Sequence, residues 1–165
     1  MSTAKIPWRL VLWPALALTV AALLWVLPRV TGPRPAPVDE ALLRQMRQRW
    51  RAAGIEHYEL EVRVSGAQQG RYVVEVNNGR IVRATFEDRP LDARRARYWT
   101  IPGQFGMLER ELRNAQGKGP WPEGVHVQIW AAFDPDTGRP LWWQREVVGG
   151  TQSVTVRTVR FRILP

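Results

Sequence analysis

The chain has 165 residues, a formal charge of +9 and 45% hydrophobic residues, which suits one small domain with an appendage. Nine tryptophans and only 24% charged residues exclude wholesale disorder. The absence of cysteine excludes disulfides, zinc–thiolate sites, cysteine catalysis and an N-terminal lipidated cysteine, and two histidines, His57 and His126, leave metal and proton-transfer chemistry poorly supplied.

Residues 1–9 form a short basic tip with Lys5 and Arg9 and no acidic residue. From Leu10 to Pro28 no residue is charged, and Arg9 and Arg29 bracket the run. As a helix, Leu10 to Leu27 would span about 27 Å, close to the hydrocarbon thickness of a bilayer. Trp8 and Trp25 fall near its ends, where indole rings favour the headgroup region. The run closes on Trp25, Val26, Leu27, Pro28 and Arg29 rather than on a small-residue cleavage site, so it reads as an uncleaved transmembrane anchor over residues 10–28. Lys5 and Arg9 favour a cytoplasmic N-terminus, with the remainder outside the cytoplasmic membrane, in the periplasm of a bacterium.

Residues 29–38 read as a Pro-rich linker, and residues 39–165 as an extracytoplasmic domain. Asp39 is placed to cap a helix running to about Ala53, with Gly54 as its stop and Leu42, Leu43, Met46, Trp50 and Ala53 on one side. Tyr58, Leu60, Val62 and Val64 alternate with Glu59, Glu61 and Arg63, the pattern of a half-buried strand. A second strand covers about Arg71 to Val76, Asn77-Asn78-Gly79 turns the chain, and a third strand runs from Arg80 to Phe86. A basic irregular stretch, Glu87 to Trp99, follows.

Thr100 opens a second helix with Ile101, Phe105, Leu108, Leu112 and Ala115 on one face, and Pro102 is tolerated in its first turn. Gly117 to Gly124 is a Gly/Pro loop. A fourth strand puts Val125, Val127, Ile129, Ala131 and Phe133 on one face and His126, Gln128 and Trp130 on the other. Asp134 to Pro140 turns, Leu141 to Val148 is a fifth strand, and about Thr151 to Leu164 a sixth. The predicted fold is α+β: helix–three strands, twice, giving an antiparallel sheet of about six strands with both helices on one face.

Candidate chemistry is sparse. Asp134-Pro135-Asp136-Thr137-Gly138 has the look of a calcium loop, but Arg145 stands where such a loop needs Glu, and the same residues suit a hairpin turn. Glu59 and Glu61, two apart on one strand, would lie side by side rather than across a cleft, and read as ion-pairing partners for arginines such as Arg63 or Arg71. Nothing in the spacing brings a nucleophile between His57 and His126. No catalytic residue, metal or cofactor is expected.

Trp142 and Trp143 are adjacent in a strand and must face opposite ways. With Trp143 in the core, Trp142 faces outward, as does Trp130. If those strands pair, the two indoles form an aromatic patch with His126 and Gln128, open to a partner or covered by a loop, the linker or the bilayer. Arg94, Arg95, Arg97 and Trp99 form a second candidate, a basic cluster suited to an anionic surface. Nucleic acid is not an expected partner for an exported domain.

Trp50 and Gly54-Ile55 before His57-Tyr58, Val74-x-Val76 with Asn78-Gly79-x-Ile81, and Asp134 with Gly138-x-Pro140 together resemble an uncharacterised bacterial family of small secreted, lipid-anchored or membrane-anchored domains. The resemblance covers about Asp39 to Leu164. The helix–three-strand unit is also similar to PepSY-type domains, which implies inhibition or regulation of extracytoplasmic proteases. The expected function is a membrane-anchored, non-catalytic binding domain docked to a protein partner in the envelope. A protease regulator is the second expectation, and a cell-wall glycan hydrolase or glycan-binding module the third.

Overall fold

A computed structural model describes residues 33–66, 69–118, 125–150 and 152–165. The expected anchor over residues 10–28 lies outside these residues, as do residues 119–124 of the Gly/Pro loop. Among the described residues no helix is long and apolar enough to cross a membrane. The chain divides after Arg34, and the fold is that of Pro35–Pro165.

Its strands are β1 (Ala36–Pro37), β2 (Tyr58–Gly66), β3 (Gly70–Asn77), β4 (Arg80–Phe86), β5 (Arg89–Pro90), β6 (Val127–Phe133), β7 (Pro140–Val147) and β8 (Val154–Ile163). Among the described residues three α-helices, α1 (Glu40–Ala53), α2 (Ala93–Ala96) and α3 (Ile101–Arg113), accompany them, with a 3-10 turn at Arg97–Trp99 and a π turn at Asn114–Lys118. The strands form one antiparallel sheet in the order β1-β6-β7-β8-β2-β3-β4-β5. The two meanders predicted from the sequence are therefore set side by side, the last strand of the second joined to the first strand of the first. Both edges are closed by two-residue strands that contain proline, β1 against β6 and β5 against β4.

Local chemistry explains each element. The Asp39 carboxylate accepts from the Leu42 amide at 2.7 Å, and Gly54 ends α1 at φ 60°. Thr100 caps α3 by accepting from the Gly103 amide at 3.1 Å. Asn78 and Gly79, both at positive φ (48° and 70°), make the tight β3–β4 turn. Extra residues in β8 and β4 break the register opposite Glu61/Val62 and Glu75/Val76, and the exposed Val159 and Val82 are those extra residues.

One core lies between the helices and one face of the sheet. Leu43, Met46 and Trp50 of α1 and Ile101, Phe105 and Leu108 of α3 pack with Tyr58, Leu60, Val62 and Val64 of β2. Trp50 meets Tyr58 edge-on at a centroid distance of 5.6 Å. The turn after β6 also bears on α1: Arg49 donates to the Pro135 carbonyl at 2.8 Å, and Gly138 packs against the Met46 carbonyl.

Three sequence expectations change. The sheet begins within the stretch read as linker, because Ala36 and Pro37 pair with Ala131 and Trp130 and the Val38 amide donates to the Ile129 carbonyl at 2.9 Å. The stretch Glu87 to Trp99 is ordered into β5, α2 and a 3-10 turn, because Asp92 accepts from the Arg94 and Arg95 amides and Trp99 stacks on Tyr72. The strand count rises from six to eight through β1 and β5 alone.

Candidate functional site

Helices cover one face of the sheet, and the strand alternation puts the charged and tryptophan-bearing positions on the other. On β6 and β7 that open face carries Gln128, Trp130, Trp142 and Gln144. The two strands pair, with Trp130 opposite Gln144 and Ala132 opposite Trp142, so the indoles are diagonal neighbours. Both are half-buried, while His126 and Gln128 are exposed. His126 precedes β6 and its carbonyl accepts from the Val148 amide at 2.9 Å. Pro37 of β1 stands opposite Trp130, so the end of the linker borders this patch. Trp143 faces the other way into the core at 3% exposure.

The middle of the open face is ionic. Glu59 lies directly opposite Glu75, a like-charge pairing that costs stability unless a cation bridges it. Arg83 does so, reaching Glu75 at 3.0 Å and Glu59 at 3.1 Å. Arg160 joins Glu59 at 3.3 Å to Glu61 at 3.1 Å. The ion-pair reading of Glu59 and Glu61 holds, but their partners come from β4 and β8 rather than from Arg63 or Arg71.

The second candidate cluster separates. Arg94, Arg95 and Arg97 are exposed, whereas Trp99 is 8% exposed and stacks on Tyr72 with centroids 4.0 Å apart, so it belongs to the core. Arg97 instead lies over the neighbouring Tyr98 ring at 4.9 Å, and its hydrogen bond to the phenol holds that group below its ordinary pKa.

The acidic turn is structural. Asp134 Oδ1 accepts from the Asp136 and Thr137 amides and the Thr137 hydroxyl, and Oδ2 pairs with Arg139 at 3.1 Å. Partial burial opposes ionisation of Asp134, but the Thr137 and Asp136 donors and the Arg139 charge outweigh it and hold the carboxyl below its ordinary pKa. No group of three or more metal-ligating side chains occurs among the described residues. His57 donates to the Asn78 side-chain oxygen at 2.9 Å. Three strand steps, about 14 Å, separate β2 from β6, so His57 and His126 do not converge.

A cleft of about 610 Å³ opens on the helix side, with Trp50, Tyr58 and Phe105 in its lining and Arg51 and Arg97 among its charged residues. Glu56 is the single carboxylate among the described residues that line it, where hydrolysis of a glycoside needs two.

Two polar features escaped the sequence reading. Glu111 is buried beside Arg145, with Oε1 and Nη1 3.4 Å apart. The alternation of Trp143, Arg145 and Val147 held the signal for an inward arginine. The other is a row of arginines on the open face, which depends on how β2 and β8 pair.

The architecture defines an antiparallel α+β domain with one sheet face covered by helices and the other bare of helices among the described residues. The family described as "Family of unknown function (DUF6174)" matches residues 42–118, just under half of the chain. That stretch holds most of α1, strands β2 to β5, α2 and α3. No curated protein matches the sequence significantly.

Proposed function

We propose that the chain is a membrane-anchored, extracytoplasmic, non-catalytic accessory domain that docks to a protein partner in a bacterial envelope complex. Residues 10–28 would supply the anchor, with the N-terminus in the cytoplasm. The observation that carries the reading is the pair Trp130 and Trp142 on the sheet face that no helix among the described residues covers. Half-buried indoles on a sheet face suit protein contact, where Trp and Arg supply a large share of binding energy. The neutralised carboxylates on β2, and Glu56 as the single carboxylate among the described residues of the helix-side cleft, favour binding over hydrolysis.

The test is capture of the tagged full chain from its own membranes in mild detergent, alongside Trp130→Ala and Trp142→Ala. A partner that co-purifies with the parent chain and is lost with both variants supports the reading; a partner indifferent to both overturns it. Alkaline phosphatase fused after Pro165 should be active, and an inactive fusion would reverse the assigned topology. The repeated helix–three-strand order favours one second reading, a PepSY-like regulator of an extracytoplasmic protease. It is distinguished by whether the captured partner is a protease whose activity the chain alters.

A further inference from the structure

The register of four adjacent strands places Trp142, Arg157, Arg63 and Arg71 in one line across the open face. Trp142 of β7 is opposite Arg157 of β8, Arg157 is opposite Arg63 of β2, and Arg63 is opposite Arg71 of β3. Like charges directly opposite one another on a sheet are unfavourable. The next two lines on one side avoid the problem by interleaving: Arg160 and Glu61 begin the adjacent one, and Arg162, Glu59, Glu75 and Arg83 form the one beyond it. In the arginine line only Arg71, at the far end, has an acidic partner among the described residues, Asp88. Arg63 and Arg157 are exposed, and no carboxylate among the described residues pairs with either.

We infer that this line is the charged half of the docking face, and that the partner is a protein presenting carboxylates opposite Arg157 and Arg63 with an apolar group over Trp130 and Trp142. The inference rests on the docking reading above and names the partner's chemistry. Two observations select a protein over a uniform polyanion. Glu61 stands on the adjacent line and Glu59 and Glu75 one line further, each engaged by Arg160 or Arg83, so Arg63 and Arg157 offer fixed positive points that placed carboxylates match better than an unpatterned anionic surface does. The indoles are half-buried in the sheet, so neither stands out as a wedge for a bilayer or as an exposed plate for base stacking.

The test uses the full chain in phosphatidylcholine nanodiscs and a fluorescein-labelled Glu-Leu-Glu-Leu-Glu peptide, read by anisotropy. Saturable binding that falls with salt is expected, weakened about tenfold or more in the Arg63→Gln/Arg157→Gln double variant. Arg94→Gln/Arg95→Gln, equal in charge change but off the face, should bind like the parent. The Arg63→Gln/Arg157→Gln chain should melt no lower than the parent, because it loses a repulsion. Equal binding by both double variants overturns the inference. So does binding of phosphatidylglycerol vesicles or a short oligonucleotide that depends on Arg63 and Arg157 as strongly as the peptide does. The membrane capture separates the two levels: a partner lost with Trp130→Ala and Trp142→Ala but retained by Arg63→Gln/Arg157→Gln leaves the docking reading standing and removes only the acidic partner.

Discussion

The phenol oxygen of Tyr58 accepts a hydrogen bond from the backbone amide of Ile101 at 3.2 Å. This single contact ties the first strand of the first helix–three-strand half to the first turn of the helix that opens the second. Tyr58 is 2% exposed and Ile101 fully buried, so water does not substitute for either group. Thr100 and Tyr58 together satisfy the Gly103 and Ile101 amides at a helix start where Pro102 has none to offer.

Tyr58→Phe should therefore cost about 1–3 kcal/mol, the penalty for leaving a buried amide without an acceptor, with little change in fold. The pH dependence has a definite sign. Burial pushes the Tyr58 phenol up to about 12 from 10.0, against the smaller opposite pull of the Ile101 amide. The folded chain holds this proton more tightly than the unfolded one, so the contribution is complete below about pH 10 and lost as pH rises toward 12. Denaturant melts of parent and Tyr58→Phe across that window should converge; parallel curves would contradict the burial assigned to Tyr58.

The adjacent pair Trp142 and Trp143 should behave oppositely. Trp143→Ala and Trp50→Ala remove core aromatics at 3% and 7% exposure and should each cost about 3–5 kcal/mol. Trp142→Ala and Trp130→Ala, half-buried on the open face, should cost about 1 kcal/mol. Thermal melts decide it, and equal losses at positions 142 and 143 would mean the open face is covered in the full chain.

Gly138 and Gly79 provide a matched comparison. Both have positive φ, 74° and 70°, so alanine is conformationally strained at each. A Cβ at Gly79 meets nothing within 4 Å, whereas one at Gly138 collides with the Met46 carbonyl of α1. Gly79→Ala should cost about 1 kcal/mol and Gly138→Ala clearly more, since the second adds a backbone collision to the same strain. Chemical denaturation of both variants measures the difference.

Asp134 supplies the acid counterpart to Tyr58. Its carboxyl is held below its ordinary pKa, so its contribution is present above about pH 4 and is lost as pH falls through the folded value. Asp134→Ala should destabilise the domain at neutral pH by about 1–3 kcal/mol and by less in acid. A penalty that stays constant down to pH 2 would show that the turn does not depend on the charged carboxylate.

The elements legible in the sequence were those with a local signature. Alternation from Tyr58 to Val64, the Asn78-Gly79 turn, and the caps at Asp39 and Thr100 each lie within a few residues of the structure they specify. β1 and β5 have two residues each, too few for any periodicity to appear. Trp99 looked like part of a basic surface because its partner, Tyr72, lies 27 positions away. The same holds for the open face. Trp130 and Trp142 were placed by alternation along their own strands, but the alignment of Arg157 with Arg63 needs the β8–β2 pairing, which leaves no mark in either segment alone.

Pro37 and Pro90 bear on how many copies behave together. A β-sheet polymer grows by adding strands to unused backbone donors and acceptors, and proline offers no N–H for that purpose. With one such residue in each terminal strand, neighbouring copies at high concentration find poor templates for fibre growth at either flank. Replacing both prolines would remove that protection while leaving every core residue in place, and the cost would be read in turbidity rather than in a melting curve.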